Sequence, residues 1–174
     1  MTGRYMKSYL YAGVLLTSLV LAGCNTSFSS PEPEYYTPPV LDSDIAKIRL
    51  IGAPISYAIY SIDSSGHKKG SWVEKRELSY VFTDGPTRDI GLPKVTGKLY
   101  EEKYFETYLK PDTVTLIYNS TTLCVVKVML VPEKQKIYEA RISYTDKSGY
   151  CVLYLKEVVH DKHNNIYIES NLKK

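Results

Sequence analysis

The sequence predicts an all-β domain, an antiparallel sandwich of about seven to eight strands, behind a removable leader and a proline-rich spacer. Three observations carry that expectation. From Ile45 onward, short runs rich in Val, Ile, Thr and Tyr are broken by turn residues. Only residues 98–109 carry a competing helical period. The runs also recur at a spacing that suits two stacked sheets.

In chain order the strands are expected at 45–51, 55–62, 77–83, 113–120, 123–131, 137–145 and 151–159, with a last short one at Asn165–Ser170. Turn chemistry separates them at Asp63-Ser64-Ser65-Gly66, Asp84-Gly85-Pro86, Lys110-Pro111-Asp112 and Asp146-Lys147-Ser148-Gly149. Residues 98–109 read two ways. Tyr100, Tyr104 and Tyr108 would share one face of a helix, whereas 103–109 as a strand would turn Phe105, Thr107 and Leu109 inward. The strand is preferred, because the Pro111 turn would then lead into 113–120 as a hairpin.

Two cysteines constrain the topology. Cys124 has the same parity as Val126, Val128 and Leu130, and Cys151 that of Leu153 and Leu155, so both thiols are expected to face the core. In an exported chain they would form a disulfide, the alternative being a pair of buried free thiols. If 123–131, 137–145 and 151–159 formed one meander, the cysteines would sit two strand spacings apart, beyond the roughly 7 Å that a disulfide spans. Strand 123–131 is therefore expected in the sheet opposite the other two. Such a bridge between sheets resembles that of immunoglobulin-like folds.

The N-terminus indicates location. Arg4 and Lys7 precede an uncharged run, Ser8–Gly23, of 16 residues, short of the roughly 20 that a membrane-spanning helix needs. The run ends in Leu21-Ala22-Gly23-Cys24, which resembles the lipobox of bacterial lipoproteins. That resemblance implies cleavage before Cys24, a diacylglyceryl group on its sulfur and an acylated amino terminus. Two or more acyl chains suffice for stable membrane anchoring. A plain secretory leader with an incidental cysteine is the alternative, and Met6 is a second possible start. Asn25 rather than aspartate after the cysteine favours, by the same resemblance, export to the outer membrane.

Residues 24–44 contain Pro31, Pro33, Pro38 and Pro39 and read as an extended, disordered tether, with Tyr35-Tyr36 as an alternative recognition motif. The domain would then span 45–174. Removing residues 1–23 discards two of the 22 basic residues and none of the 19 acidic ones. The mature chain is nearly neutral, which argues against a nucleic-acid partner.

No nucleophile elbow, phosphate-binding loop, metalloprotease or dinucleotide motif is present. His160-Asp161-Lys162-His163 lacks a third spaced ligand and reads as a solvated loop, so no metal or other cofactor is expected. His67 lies among basic neighbours with no nucleophile nearby in the pattern. Asn119-Ser120-Thr121 is a sequon that matters only in a eukaryotic secretory route. The chain has 17 tyrosines, most of them on alternating strands, where packing and strand propensity account for them; a tyrosine-lined binding face is the alternative.

The segments DIGLPK (89–94), LKPDT (109–113) and the run from Cys124 through KIYEA (136–140) to Cys151 are similar to small envelope lipoproteins with an immunoglobulin-like or PEGA-like sandwich. PEGA-like repeats usually carry proline-glycine at the turn, and this chain has Pro111-Asp112. The expected function is that of a membrane-anchored, non-enzymatic binding or structural module with an envelope protein partner. One alternative is an inhibitor or immunity protein of an envelope enzyme. The other is an envelope hydrolase whose acids, among Glu101, Glu102 and Glu106, converge on folding.

Overall fold

The computed structural model describes residues 35–52, 56–74, 87–121, 124–144 and 150–172. The leader 1–23, Cys24, the first part of the spacer, the expected strand 77–83 and the turns at 84–86 and 146–149 lie outside the described residues.

Among the described residues, nine strands form two sheets. They are β1 (Ala46–Ile51), β2 (Tyr57–Ile62), β3 (Lys68–Trp72), β4 (Tyr104–Leu109), β5 (Val114–Ser120), β6 (Val125–Leu130), β7 (Ile137–Tyr144), β8 (Cys151–Asp161) and β9 (Ile166–Ser170). One sheet has the order β4-β1-β7-β8-β9 and the other β3-β2-β5-β6. The all-β sandwich is thus as expected, and 104–109 is strand rather than helix.

Alternation explains the core. Ala46, Ile48 and Leu50 of β1 meet Phe105 and Leu109 of β4 and Ala140 of β7 on one side, and Ile59 and Ile117 from the other sheet complete the cluster. Burying each large aliphatic side chain contributes roughly 1.5–3 kcal/mol. Tyr57 crosses this core, donating from its hydroxyl to Ile51 O (2.7 Å) and accepting from Ile142 N (3.1 Å).

Four expectations need correction. The described residues form nine strands where seven or eight were expected, and β1 runs parallel to β7, so the five-stranded sheet is not wholly antiparallel. Strand β3, Lys-Lys-Gly-Ser-Trp, was not expected, yet it pairs along β2. Gly70 makes that pairing close, because a Cβ there would lie 2.0 Å from Ile59 O. The β4–β5 connection is not a hairpin, since the two strands belong to different sheets. Pro111 and Asp112 (φ 54°) turn the chain across the sandwich, and Asp112 N is bonded to Pro132 O at 2.9 Å. Finally, Tyr36 lies in the stretch read as a solvated tether but is docked on the domain. Its amide donates to Trp72 O (2.8 Å), its hydroxyl to Tyr108 O (2.8 Å), and its ring packs against the core.

The two cysteines bridge opposed sheets, as expected. β6 lies in the four-stranded sheet while β7 and β8 pair in the other, and the Cys124–Cys151 disulfide joins the sheets across a Cα separation of 6.1 Å.

Candidate functional site

The outer face of the five-stranded sheet holds a charged network centred on Arg49, a residue with no solvent exposure. Its strand parity is opposite to that of Ile48 and Leu50, so its side chain leaves the core and meets the residues that flank it in register, Glu106 on β4 and Glu139 on β7. Arg49 Nε donates to Glu106 Oε1 (2.8 Å), and Nη1 to Glu139 Oε2 (3.1 Å). Burial disfavours the guanidinium charge, but these hydrogen bonds outweigh it and raise the pKa above the ordinary arginine value.

A segment without regular structure seals this network. Arg88 bridges to β4 through Tyr104 O and Glu106 N (3.1 and 2.9 Å). Ile90 N and Leu92 N then donate to Glu106 Oε2 (2.7 and 3.2 Å), while Arg49 donates to Leu92 O and Pro93 O (2.7 and 3.2 Å). At the far side Thr96 N donates to Tyr167 O of β9 (2.8 Å). Residues 88–96 therefore strap the sheet from one edge to the other.

Beside the strap lies a cleft of about 320 Å³ lined by Lys98, Glu139, Arg141, Tyr154, Lys156 and Glu169. Lys98 Nζ pairs with both Glu139 and Glu169. Burial disfavours its charge, but the hydrogen bonds to these carboxylates hold it above the usual lysine pKa. Glu139 Oε2 also accepts from Tyr100 OH at 2.8 Å. Both oxygens of Glu139 are thus taken, which suits an ion-pair network better than a proton-transferring acid.

The acids considered from sequence have separate environments. Glu106 is locked beneath the strap, Glu102 pairs with Arg141 at 3.2 Å, and Glu101 is exposed. His67 does sit near a hydroxyl, with Ser65 Oγ 2.8 Å from its Nδ1. Asp63 Oδ2 lies 3.7 Å from that same nitrogen, so the three do not form a relay through the two ring nitrogens. Asp63 instead accepts the amides of Ser65 and His67 (both 2.9 Å) and closes the β2–β3 turn. His160 contacts Asn165 Oδ1 at 3.1 Å and stacks on Tyr167, while Asp161 accepts the amide of His163 at 2.9 Å. Among the described residues no His, Cys, Asp and Glu cluster could hold a metal ion.

The second surface is the edge of β6. The strap covers parts of the β4 and β9 edges, and Tyr36 N binds Trp72 O at the end of β3. Among the described residues the outward edge of β6 makes no backbone hydrogen bond. Its orientation follows from the hairpin. Thr121 and Cys124 exchange both backbone bonds (2.8 and 3.4 Å), so Asn119–Val126 and Ile117–Val128 are the next hydrogen-bonded pairs. Val125, Lys127 and Met129 occupy the alternate positions and point their N–H and C=O groups to the open side. The same three side chains lie on the outer face, where Val125, Met129 and Val131 are 62, 63 and 54% exposed.

No family model, curated protein or solved structure matches the chain.

Proposed function

We propose that this chain is an envelope lipoprotein, anchored through acylated Cys24 at the outer membrane, that acts as a non-enzymatic binding module and docks a protein partner along β6. The observation that carries this reading is the open edge itself. Backbone groups that have no partner among the described residues, beside exposed valines and a methionine, form a template for strand addition, a mode of recognition that needs no catalytic constellation. An inhibitor of an envelope enzyme is one form that such a partner contact could take. The hydrolase alternative has less support, because the cleft carboxylates share one lysine and Glu139 has both oxygens engaged.

Photo-crosslinking in cells tests the reading. A crosslinker at Met129 is expected to label one envelope protein, a crosslinker at exposed Lys110 is expected not to, and Cys24→Ala is expected to release the protein from membranes and abolish the adduct. Equal labelling from both positions would remove the β6 interface. Unchanged membrane attachment of Cys24→Ala would remove the anchor.

A further inference from the structure

We infer that the partner strand carries an acidic residue opposite Lys127, with apolar residues two positions to either side. The inference rests on the reading of β6 as the docking edge and specifies what docks there.

Charge supplies the first argument. Lys127 is exposed in the middle of β6, between Val125 and Met129 on the same face, and faces Tyr118 on β5. The ion pairs among the described residues do not include it. Lys127 is also one of the residues whose backbone groups point outward. A strand added to this edge would place one side chain directly beside the ammonium, at the distance where opposite charges attract and like charges repel. A lysine in this position discourages unselective edge pairing and admits strands bearing the complementary charge.

Apolar burial supplies the second. The outer-face neighbours of the added acid would meet Val125 and Met129, both largely exposed. On its inner side the added strand would extend the four-stranded sheet to five. β6 stacks on β8, to which the disulfide ties it, and β9 lies one strand beyond β8. Ile168 has inward parity on β9, opposite Val159, yet is 39% exposed. The inner face of a fifth strand would continue that of β6, which carries Val126, Val128 and Leu130, so the positions between acid and outer apolar residues are apolar as well. The resulting pattern, with the acid flanked symmetrically, reads the same in either chain direction.

The test uses two nine-residue peptides on the native, disulfide-bonded protein. One has glutamate at the centre, valine at the two positions on each side and threonine at the ends; the other has lysine at the centre. Fluorescence anisotropy of the labelled peptides is expected to give about fivefold tighter binding for the glutamate peptide, narrowing in high salt. Lys127→Glu is expected to reverse the order. Lys127→Pro, which removes an outward N–H without touching the β5 ladder, is expected to abolish both. Equal affinity for the two peptides, unaltered by Lys127→Glu, would overturn the acidic pairing while leaving the edge in place. Binding that survives Lys127→Pro undiminished, or an absence of binding by either peptide, would overturn the open-edge reading and the inference with it.

Discussion

Arg49 and Glu106 form an ion pair at 2.7 Å with both side chains shut off from water. They are register partners on β1 and β4, and the pair is covered by the strap whose carbonyls and amides it binds. Removing one partner of a buried pair leaves an uncompensated charge, at a cost of about 3–5 kcal/mol. Arg49→Met should lower the unfolding free energy by that amount in urea titrations and accelerate amide exchange at Ile90 and Leu92. A loss below about 1 kcal/mol with unchanged exchange would mean that the network does not hold the strap.

The Cys124–Cys151 bridge closes a loop with a sequence separation of 27 and ties β6 to β8. In the chain-entropy model a loop of that length contributes about 3.5 kcal/mol. A Cys124→Ser, Cys151→Ser double variant should lose roughly that much stability in denaturant. It should also expose the β6 end of the sandwich to proteolysis before the β1–β7 centre.

Tyr36, Tyr57 and Tyr104 stay protonated in the folded state beyond the usual tyrosine range. Burial pushes Tyr36 up to about 12 and raises Tyr57 further; for Tyr104 the hydrogen bond to Asp89 is the main cause, with burial second, and the value is about 12. Unfolded tyrosine ionises near 10. Between about pH 10 and 12 the folded state therefore binds more protons, and stability falls as pH rises, by at most about 1.4 kcal/mol per pH unit for each such tyrosine. Urea midpoints should be flat between about pH 7 and 9 and decline steeply above about 10. Tyr36→Phe should make the decline shallower.

Gly70 stands opposite Tyr60 with φ 145°, and its α-carbon hydrogens occupy space beside the Ile59 backbone. Backbone cannot yield there as a side chain end can. Gly70→Ala should cost about 3 kcal/mol and selectively loosen β3, measurable as faster exchange of the Lys68–Trp72 amides. Wild-type stability in this variant would contradict the close β2–β3 approach.

Much of the sandwich was legible because its strands alternate plainly. Ala46, Ile48 and Leu50 share one parity, and Cys124 and Cys151 each lie with their strand's apolar residues. The opposed sheets followed from disulfide reach alone. β3 was hidden because two lysines and a glycine satisfy strand geometry without strand propensity, its glycine being selected by a backbone clash that no local pattern reports. The charged network was hidden for a different reason. Arg49 has the parity of an outward residue, and its burial depends on a segment some forty positions later in the chain. A usable signal existed in charged residues near the middle of three strands, Arg49, Glu106 and Glu139, whose signs complement one another. The open edge of β6 could not be read from sequence, because whether a strand is central or peripheral is a property of the whole topology.

The most direct measurement is hydrogen exchange of the β6 amides in two settings: the purified protein, and the same protein in its native membranes, with deuterium uptake read on the peptide spanning Val125–Leu130. The outward amides of Val125, Lys127 and Met129 should exchange rapidly in the purified protein and become protected in membranes, while β5 and β7 change little. Equal uptake in both settings would contradict a partner strand on β6, and with it the account of this chain as a docking module.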